Sequence, residues 1–331
     1  MNEKIKIYVP ETVYRILLKD IELFEIFKKD GSLNKNSFYN TLICNYHETY
    51  QERIDRYHEF VEKVIYDYTG NSYKIDEGAS KIVTFIEENS FENDDQPMNV
   101  TVSLKPTKQS EDIIRYIGDN CLRNMTLSAY FRNMFTAYTQ LPQDRRERII
   151  FKRNFELIEE AIADRRMIYF TTSKNANVHT VSPYSLCRSK EELFNYLLCE
   201  DTPYPYSFRI SRIRKIVLTN KKSSFLECNV DIFRKMEIYG PQFSYNVDHD
   251  NKQIVVVLNE EGKKLYRRLY VHRPQYTAID GDRYYFECSQ FQASNYFSRF
   301  GANARIEEPE ELAEKMYEFH RSAAEAYKKS S

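Results

Sequence analysis

Two stretches, Asn195-Tyr-Leu-Leu-Cys-Glu-Asp201 and Ser207-Phe-Arg-Ile-Ser-Arg-Ile213, decide how the middle of this 331-residue chain is read. Each is a short apolar and aromatic run bounded by polar residues, too short for a helix and rich in β-formers. Working outward, Met167–Phe170, Val178–Val181, Leu193–Cys199, Ser207–Ile210 and Ile213–Leu218 all read as strands separated by Ser, Asn and Pro. A helix through Leu157, Ile158, Ala161 and Ile162 precedes them. A five-stranded barrel is the simplest packing.

Charge singles out the same region. The whole chain has 48 basic and 49 acidic residues, a net charge of −1, which excludes a uniformly basic nucleic-acid coat. Residues 161–222, however, hold eleven Lys or Arg against five acids, a surplus of six, so the remainder sums to −7. Within it Tyr184, Arg188, Tyr196, Tyr204, Tyr206, Phe208, Arg209 and Arg212 interleave guanidinium groups with aromatic rings. Guanidinium pairs bidentately with phosphate, and aromatic faces stack on unpaired bases whatever their sequence. The pattern predicts a single-strand binder, with most of the aromatics, Phe208 above all, in the core.

The order and spacing of Val181-Ser-Pro183 with Leu186, Asn195–Asp201 and Ser207–Ile213 resemble the WYL domain. That is an SH3- or Sm-like β-barrel of bacterial regulators and phage-defence accessory proteins. The family's namesake Trp is Asn195 here, while its Tyr and Leu are Tyr196 and Leu197. The resemblance implies that Tyr196, Arg209 and Arg212 face the ligand in a basic groove for nucleic acid or anions.

The N-terminal part contains a unit that occurs twice. Lys4–Val9 alternates polar and apolar residues and ends at Pro10; Thr12–Lys29 has helical spacing; Asp30-Gly31-Ser32 breaks it; Asn36 or Ser37 can cap a second helix through Tyr46. Later, Asn99–Leu104 alternates, Pro106 ends it, Ile113–Ile117 is helical, and Thr126 or Ser128 caps a helix carrying Tyr130, Phe131, Met134 and Tyr138. Between the copies lie an amphipathic helix from Tyr50 to Tyr68, a shorter one over 79–88, and a linker at Glu92–Pro97. Both copies resemble ribbon-helix-helix modules, whose strands pair because one alone is unstable. In that family outward strand side chains touch nucleic acid. Here they would be Lys4, Lys6 and Tyr8 on one strand, and Asn99, Thr101 and Ser103 on the other.

The last third reads βαββαβ: strands at 252–258, 276–279, 283–288 and 304–307, helices at 260–270 and 292–299, and a final helix opened by Pro309. This order is ferredoxin-like. It resembles the domain that often follows WYL and serves oligomer contacts. The expected fold class is therefore α+β: a ribbon-helix-helix-like helical region over 1–140, a linker helix and five-stranded WYL barrel over 141–224, and a ferredoxin-like dimerisation-type domain over 225–331.

Several functions are excluded. The eight glycines are all isolated, so there is no Walker loop or dinucleotide fingerprint. Six cysteines without a CxxC pair, and dispersed histidines, predict neither a metal site nor a redox motif, and no cofactor is expected. No apolar run approaches the roughly 18 residues of a membrane span, and Met1–Pro10 is unlike a signal peptide, so the cytoplasm is the expected location. Arg53 and His58, like Arg267 and His272, share the R-x4-H spacing of HEPN ribonucleases, but the spacing recurs by chance and the polar residue favoured after the Arg is missing. No catalytic residue is expected.

The whole layout resembles the WYL accessory proteins of type VI CRISPR systems, which target RNA. That resemblance implies a non-catalytic, homodimeric single-stranded RNA binder that modulates an RNA-guided effector nuclease through Arg188, Tyr196, Arg209 and Arg212. The same layout fits a DNA-binding transcriptional regulator with a ligand-sensing barrel, for which Lys4 and Lys6 are the candidate contacts. The surplus charge lies in the barrel segment, which favours RNA.

Overall fold

A computed structural model describes residues 4–70, 74–89, 100–123, 125–173, 177–189, 192–201, 203–241, 253–270, 273–288 and 290–328. The fold is α+β, and the described residues form antiparallel sheets of two, five and four strands. The chain divides into two compact units, 1–152 and 153–331.

In the first unit, β1 (Ile5–Val9), α1 (Glu11–Leu23), α2 (Lys35–Thr69) and α3 (Ile75–Asn89) are followed by β2 (Val100–Leu104), α4 (Lys108–Asn120), α5 (Leu127–Thr139) and α6 (Gln143–Ile150). The two alternating segments pair with each other: β1 and β2 form an antiparallel ribbon with Ile7 opposite Val102 and Lys6 opposite Ser103. Because side chains alternate across a strand, Ile7, Val9, Val102 and Leu104 are buried beneath the ribbon while Lys6, Tyr8, Thr101 and Ser103 are exposed. The expected outward Asn99 lies outside the described residues, as does the linker at 92–97.

Three helical expectations change. The helix expected over 12–29 stops at Leu23, because Glu25 takes a left-handed φ of 55° and the chain turns at Gly31. The two helices expected after residue 36 are one helix of 35 residues, α2, since no Gly or Pro interrupts Lys35–Thr69; Gly70, at φ 60°, ends it. Its cap is Asn34, whose side chain accepts from Ser37 N. That frees Asn36 and Asn40 to bind the second strand-helix junction. Asn36 accepts from Lys105 N, while Asn40 donates to Lys105 O and accepts from Thr107 N.

Asp20 is fully buried and held by three donors. Tyr138 Oη donates at 2.8 Å, and Arg146 donates bidentately at 2.7 and 2.9 Å. Burial, then the charge of Asp20, pushes the Tyr138 hydroxyl pKa well up, so it stays protonated and donates. One carboxylate thus ties α1, α5 and α6 together.

The second unit opens with α7 (Lys152–Ala163), then β3 (Arg166–Thr172), β4 (His179–Arg188), β5 (Asn195–Asp201), β6 (Tyr204–Arg209), a 3-10 turn (Ile210–Arg212) and β7 (Ile213–Lys222). The sheet order is β6-β5-β4-β3-β7: four strands in a meander, and a fifth returning to the first through the 3-10 turn. β4 is longer than its expected Val178–Val181. It runs through Pro183, and a shift of register between Pro183 and Ser185 absorbs the missing donor. β5 is buried on both faces, which is why it reads as an unbroken apolar run instead of alternating.

One face of β5 is covered by α8 (Glu227–Tyr239), a helix that the sequence pattern does not predict. Phe233 and Met236 pack on Cys187 and Leu198, and Tyr184 stacks on Phe233 at 4.6 Å. Buried Glu200 accepts from Leu226 N and Asn229 Nδ2, anchoring the first turn of α8.

The C-terminal sheet has the order β11-β8-β10-β9, from β8 (Ile254–Leu258), α9 (Glu260–Arg268), β9 (Tyr276–Asp280), β10 (Arg283–Phe286), α10 (Gln290–Phe297), β11 (Ala304–Glu308) and α11 (Glu310–Lys328). All pairings are antiparallel, the ferredoxin-like arrangement. Gly262 lets α9 approach the turn at Asn303, since a Cβ there would stand 2.1 Å from Asn303 O.

Removing one partner of a buried ion pair leaves the other charge unpaired, so Asp20→Ala is expected to destabilise the protein by about 3–5 kcal/mol. Urea unfolding followed by circular dichroism reads this as a lower midpoint. Arg15→Ala, which breaks an exposed pair with Glu11, shifts that midpoint little.

Candidate nucleic-acid interface

The expected site residues fall in two units. Lys4 and Lys6 are exposed at the outward face of the β1–β2 ribbon in the first unit. Arg188, Tyr196, Arg209 and Arg212 belong to the five-stranded sheet of the second.

Within that sheet the register makes Cys187, Tyr196 and Arg209 one row across β4, β5 and β6. Tyr196 and Arg209, far apart in sequence, are thus direct cross-strand neighbours on the face that α8 also covers. Arg188 pairs with Asn195 in the next row, so strand alternation turns it to the opposite face. Arg212 closes the 3-10 turn that leads from β6 into β7.

The β4–β5 connection builds the wall of this site. Ser189 is buried and accepts the N–H of Glu192 at 3.1 Å, and Leu193 takes a φ of 58° to turn the chain back. The turn sets Glu192 and Phe194 beside the row. Tyr196 Oη donates to Glu192. The Arg209 guanidinium lies 3.3 Å from the centre of the Phe194 ring, and its Nε donates to Ser211 Oγ at 2.7 Å. Arg209 is therefore oriented by an aromatic face on one side and a buried hydroxyl on the other.

Tyr196 is only 8% exposed, so it acts as the wall of the site and positions Glu192. Exposed rings lie elsewhere on the strands. Tyr204 and Tyr206 are 41% and 44% exposed, and Tyr206 borders a cluster of Phe208, Phe170 and His179. Phe208, expected in the core, is only half-buried, packed edge-on against Phe170. Glu192, Phe194 and Ser211 were not singled out from sequence. Their only sequence signal is adjacency to Tyr196, Arg209 and Arg212, which has meaning only once the turn is folded.

The R-x4-H residues are used inside the first unit. Arg53 donates to buried Glu87, which also accepts from Tyr50 Oη, and His58 Nε2 lies 3.1 Å from Ser80 Oγ. Both residues therefore join α2 to α3. Glu62 and Asp76 join His58 in the one group among the described residues with three ligand atoms within 4.8 Å. Glu62 lies 3.6 Å from the imidazole Nδ1 and Asp76 3.3 Å from Nε2, so folding assembles a His and carboxylate cluster that the dispersed histidines of the sequence do not announce. His272, of the second R-x4-H pair, lies outside the described residues. Among the described residues no helix is long and apolar enough to cross a membrane.

Arg53→Ala would leave buried Glu87 without its cation, costing about 1–3 kcal/mol. A lower melting temperature for this variant and for His58→Ala is the expected outcome of thermal unfolding.

No protein-family model matches the chain, and no curated protein matches it. Among solved structures, one described as "Crystal structure of a CRISPR Cas-related protein" is similar over 100% of this chain and 95% of its own, with a TM-score of 0.69 and 20% identity. The proteasome accessory factor B/C of Arthrobacter aurescens matches 69% of this chain and 37% of its own at 16% identity and a TM-score of 0.27, a likeness too low to carry an argument. At 20% identity the first likeness is one of fold, and it spans both units.

Proposed function

We propose that this chain is a CRISPR-associated protein that binds single-stranded RNA without cleaving it and modulates an RNA-guided, RNA-targeting nuclease. The observation that carries the reading is the Tyr196–Arg209 row, with Arg209 oriented by Phe194 and Ser211, in the segment that holds the chain's positive surplus. A prearranged guanidinium loses less freedom on binding phosphate than a mobile one does. The connectivity of the five strands supports an SH3-like WYL barrel. The fold shared end to end with a CRISPR Cas-related protein supports the defence setting.

In this reading Arg209 and Arg212 contact phosphates, Tyr196 shapes the wall, and Tyr204 and Tyr206 offer stacking faces. The protein works as a homodimer through residues 225–331. Support for that comes from α11, whose Tyr317, Phe319 and Tyr327 are 65%, 55% and 83% exposed. The cytoplasm is the setting such a partner requires.

The β1–β2 ribbon favours a second reading, a regulator that binds duplex DNA. It presents Lys6 and Tyr8 beside Thr101 and Ser103 on one exposed face, as a ribbon that enters a groove must.

Titrations with single-stranded RNA and duplex DNA at two salt concentrations separate the readings. Arg209→Ala with Arg212→Ala is expected to weaken RNA binding at least about tenfold and to flatten the salt slope by about 1.4. Lys4→Ala with Lys6→Ala leaves RNA binding unchanged; sequence-specific duplex binding lost in that variant would favour the regulator. Light scattering of the intact chain is expected to give a dimer mass.

A further inference from the structure

The ferredoxin-like domain contains a second basic and aromatic site, apart from the barrel. α9 packs on β8, and its Tyr266 meets Tyr284 and Phe286 of β10 and Tyr276 of the edge strand β9. A cavity of about 500 Å³ opens between α9 and that edge, lined by Lys263, Tyr266, Arg267, Arg273, Gln275, Tyr276, Ile279 and Tyr284. Its volume lies within the roughly 300–1,000 Å³ of small-molecule sites.

The lining has an ordered half and an open half. Tyr266 is 7% exposed, its hydroxyl donates to Pro274 O at 2.7 Å, and burial pushes its pKa up to about 12. Tyr284 packs beside it at 5.8 Å between ring centres. Tyr276 stands edge-on to Tyr284 at 5.6 Å and tilted against Tyr266 at 6.0 Å, and is itself 47% exposed, so part of its ring is open to solvent at the mouth.

The cations divide in the same way. Lys263 is neutralised by Glu260 at 2.8 Å and Asp282 at 2.7 Å. Arg267 and Arg273 have no carboxylate partner among the described residues. Arg267 bonds only to Lys263 O, and Arg273 to Tyr266 O while lying over the Tyr266 ring at 5.4 Å. Two guanidinium groups without counter-charges among the described residues therefore flank an aromatic mouth, with the amide of Gln275 able to donate and accept beside it.

We infer that this cavity binds a nucleotide, its base stacked on Tyr276 and its phosphate held by Arg267 and Arg273. Base stacking is tolerant of sequence, and guanidinium pairs with phosphate in a bidentate fork. The source is either a free nucleotide or one residue of a single strand. β9 and β11 are opposite edges of the sheet, so the site lies away from α11, which packs at β11.

Calorimetry of the intact chain with uridine monophosphate and uridine tests the assignment. The monophosphate is expected to bind at least about tenfold more tightly than the nucleoside, and Arg267→Ala to remove that difference. Tyr276→Ala is expected to weaken the monophosphate about tenfold. Both side chains are exposed, so neither change threatens the fold. Arg209→Ala with Arg212→Ala leaves monophosphate binding intact, which separates this site from the barrel. In that variant, a short oligouridylate binding more tightly than the monophosphate assigns the site to strands, and equal affinity assigns it to free nucleotide. No binding of the monophosphate by the wild type, or binding unchanged by both Arg267→Ala and Tyr276→Ala, overturns the inference.

Discussion

β5 is the constraint on which the second unit depends. Its residues Tyr196–Glu200 are buried on both faces, so it must be hydrogen-bonded along both edges and covered on each side. β4 and β6 satisfy the edges, and α8 covers one face through Phe233 and Met236. Arg209 gains its position from the same pairing, because the register that buries Leu197 against Phe208 also sets Arg209 opposite Tyr196. A slip of one residue would move every side chain to the other face and take Arg209 away from Phe194.

In the first unit the corresponding problem is solved within one chain. A lone strand with one apolar face exposes unpaired backbone groups and an unburied stripe. Each of β1 and β2 supplies what the other lacks. Asn36 and Asn40 on α2 bond the chain just after β2, so the two copies are joined by side chains as well as by the ribbon. Asp20 and Glu87 serve similarly as buried acceptors shared by several helices, each holding an Arg and a Tyr. The cost of burying these two carboxylates is offset because each is paired with an Arg, so these positions determine which helices meet.

Much of this organisation was legible in the residues. Alternation in Lys4–Val9 and 100–104 marked the ribbon, and the βαββαβ order of the last third was readable from its turn and cap residues. What was not legible has identifiable reasons. The end of α1 depends on Glu25 in a left-handed conformation that its residue type does not favour. α2 reads as two helices, one ending at Tyr46 and one opening at Tyr50, although those two positions are one helical turn apart, both buried, and nothing between them breaks a helix. Val230, Phe233 and Met236 of α8 have helical spacing, but the face they form acquires a meaning only against β4 and β5.

The sequence by itself determined which chemistry is concentrated where. The positive surplus of residues 161–222 and the interleaved Tyr and Arg are properties of composition and order, and folding does not alter them. Only the tertiary structure decided which of those groups act together. Arg209 meets Tyr196 across two strands and Phe194 across a turn, Arg188 is turned to the other face, and Arg53 and His58 join α2 to α3. The physical reason is that strand register and hairpin geometry bring together residues distant in the chain, and local periodicity carries no information about which edge a strand will choose.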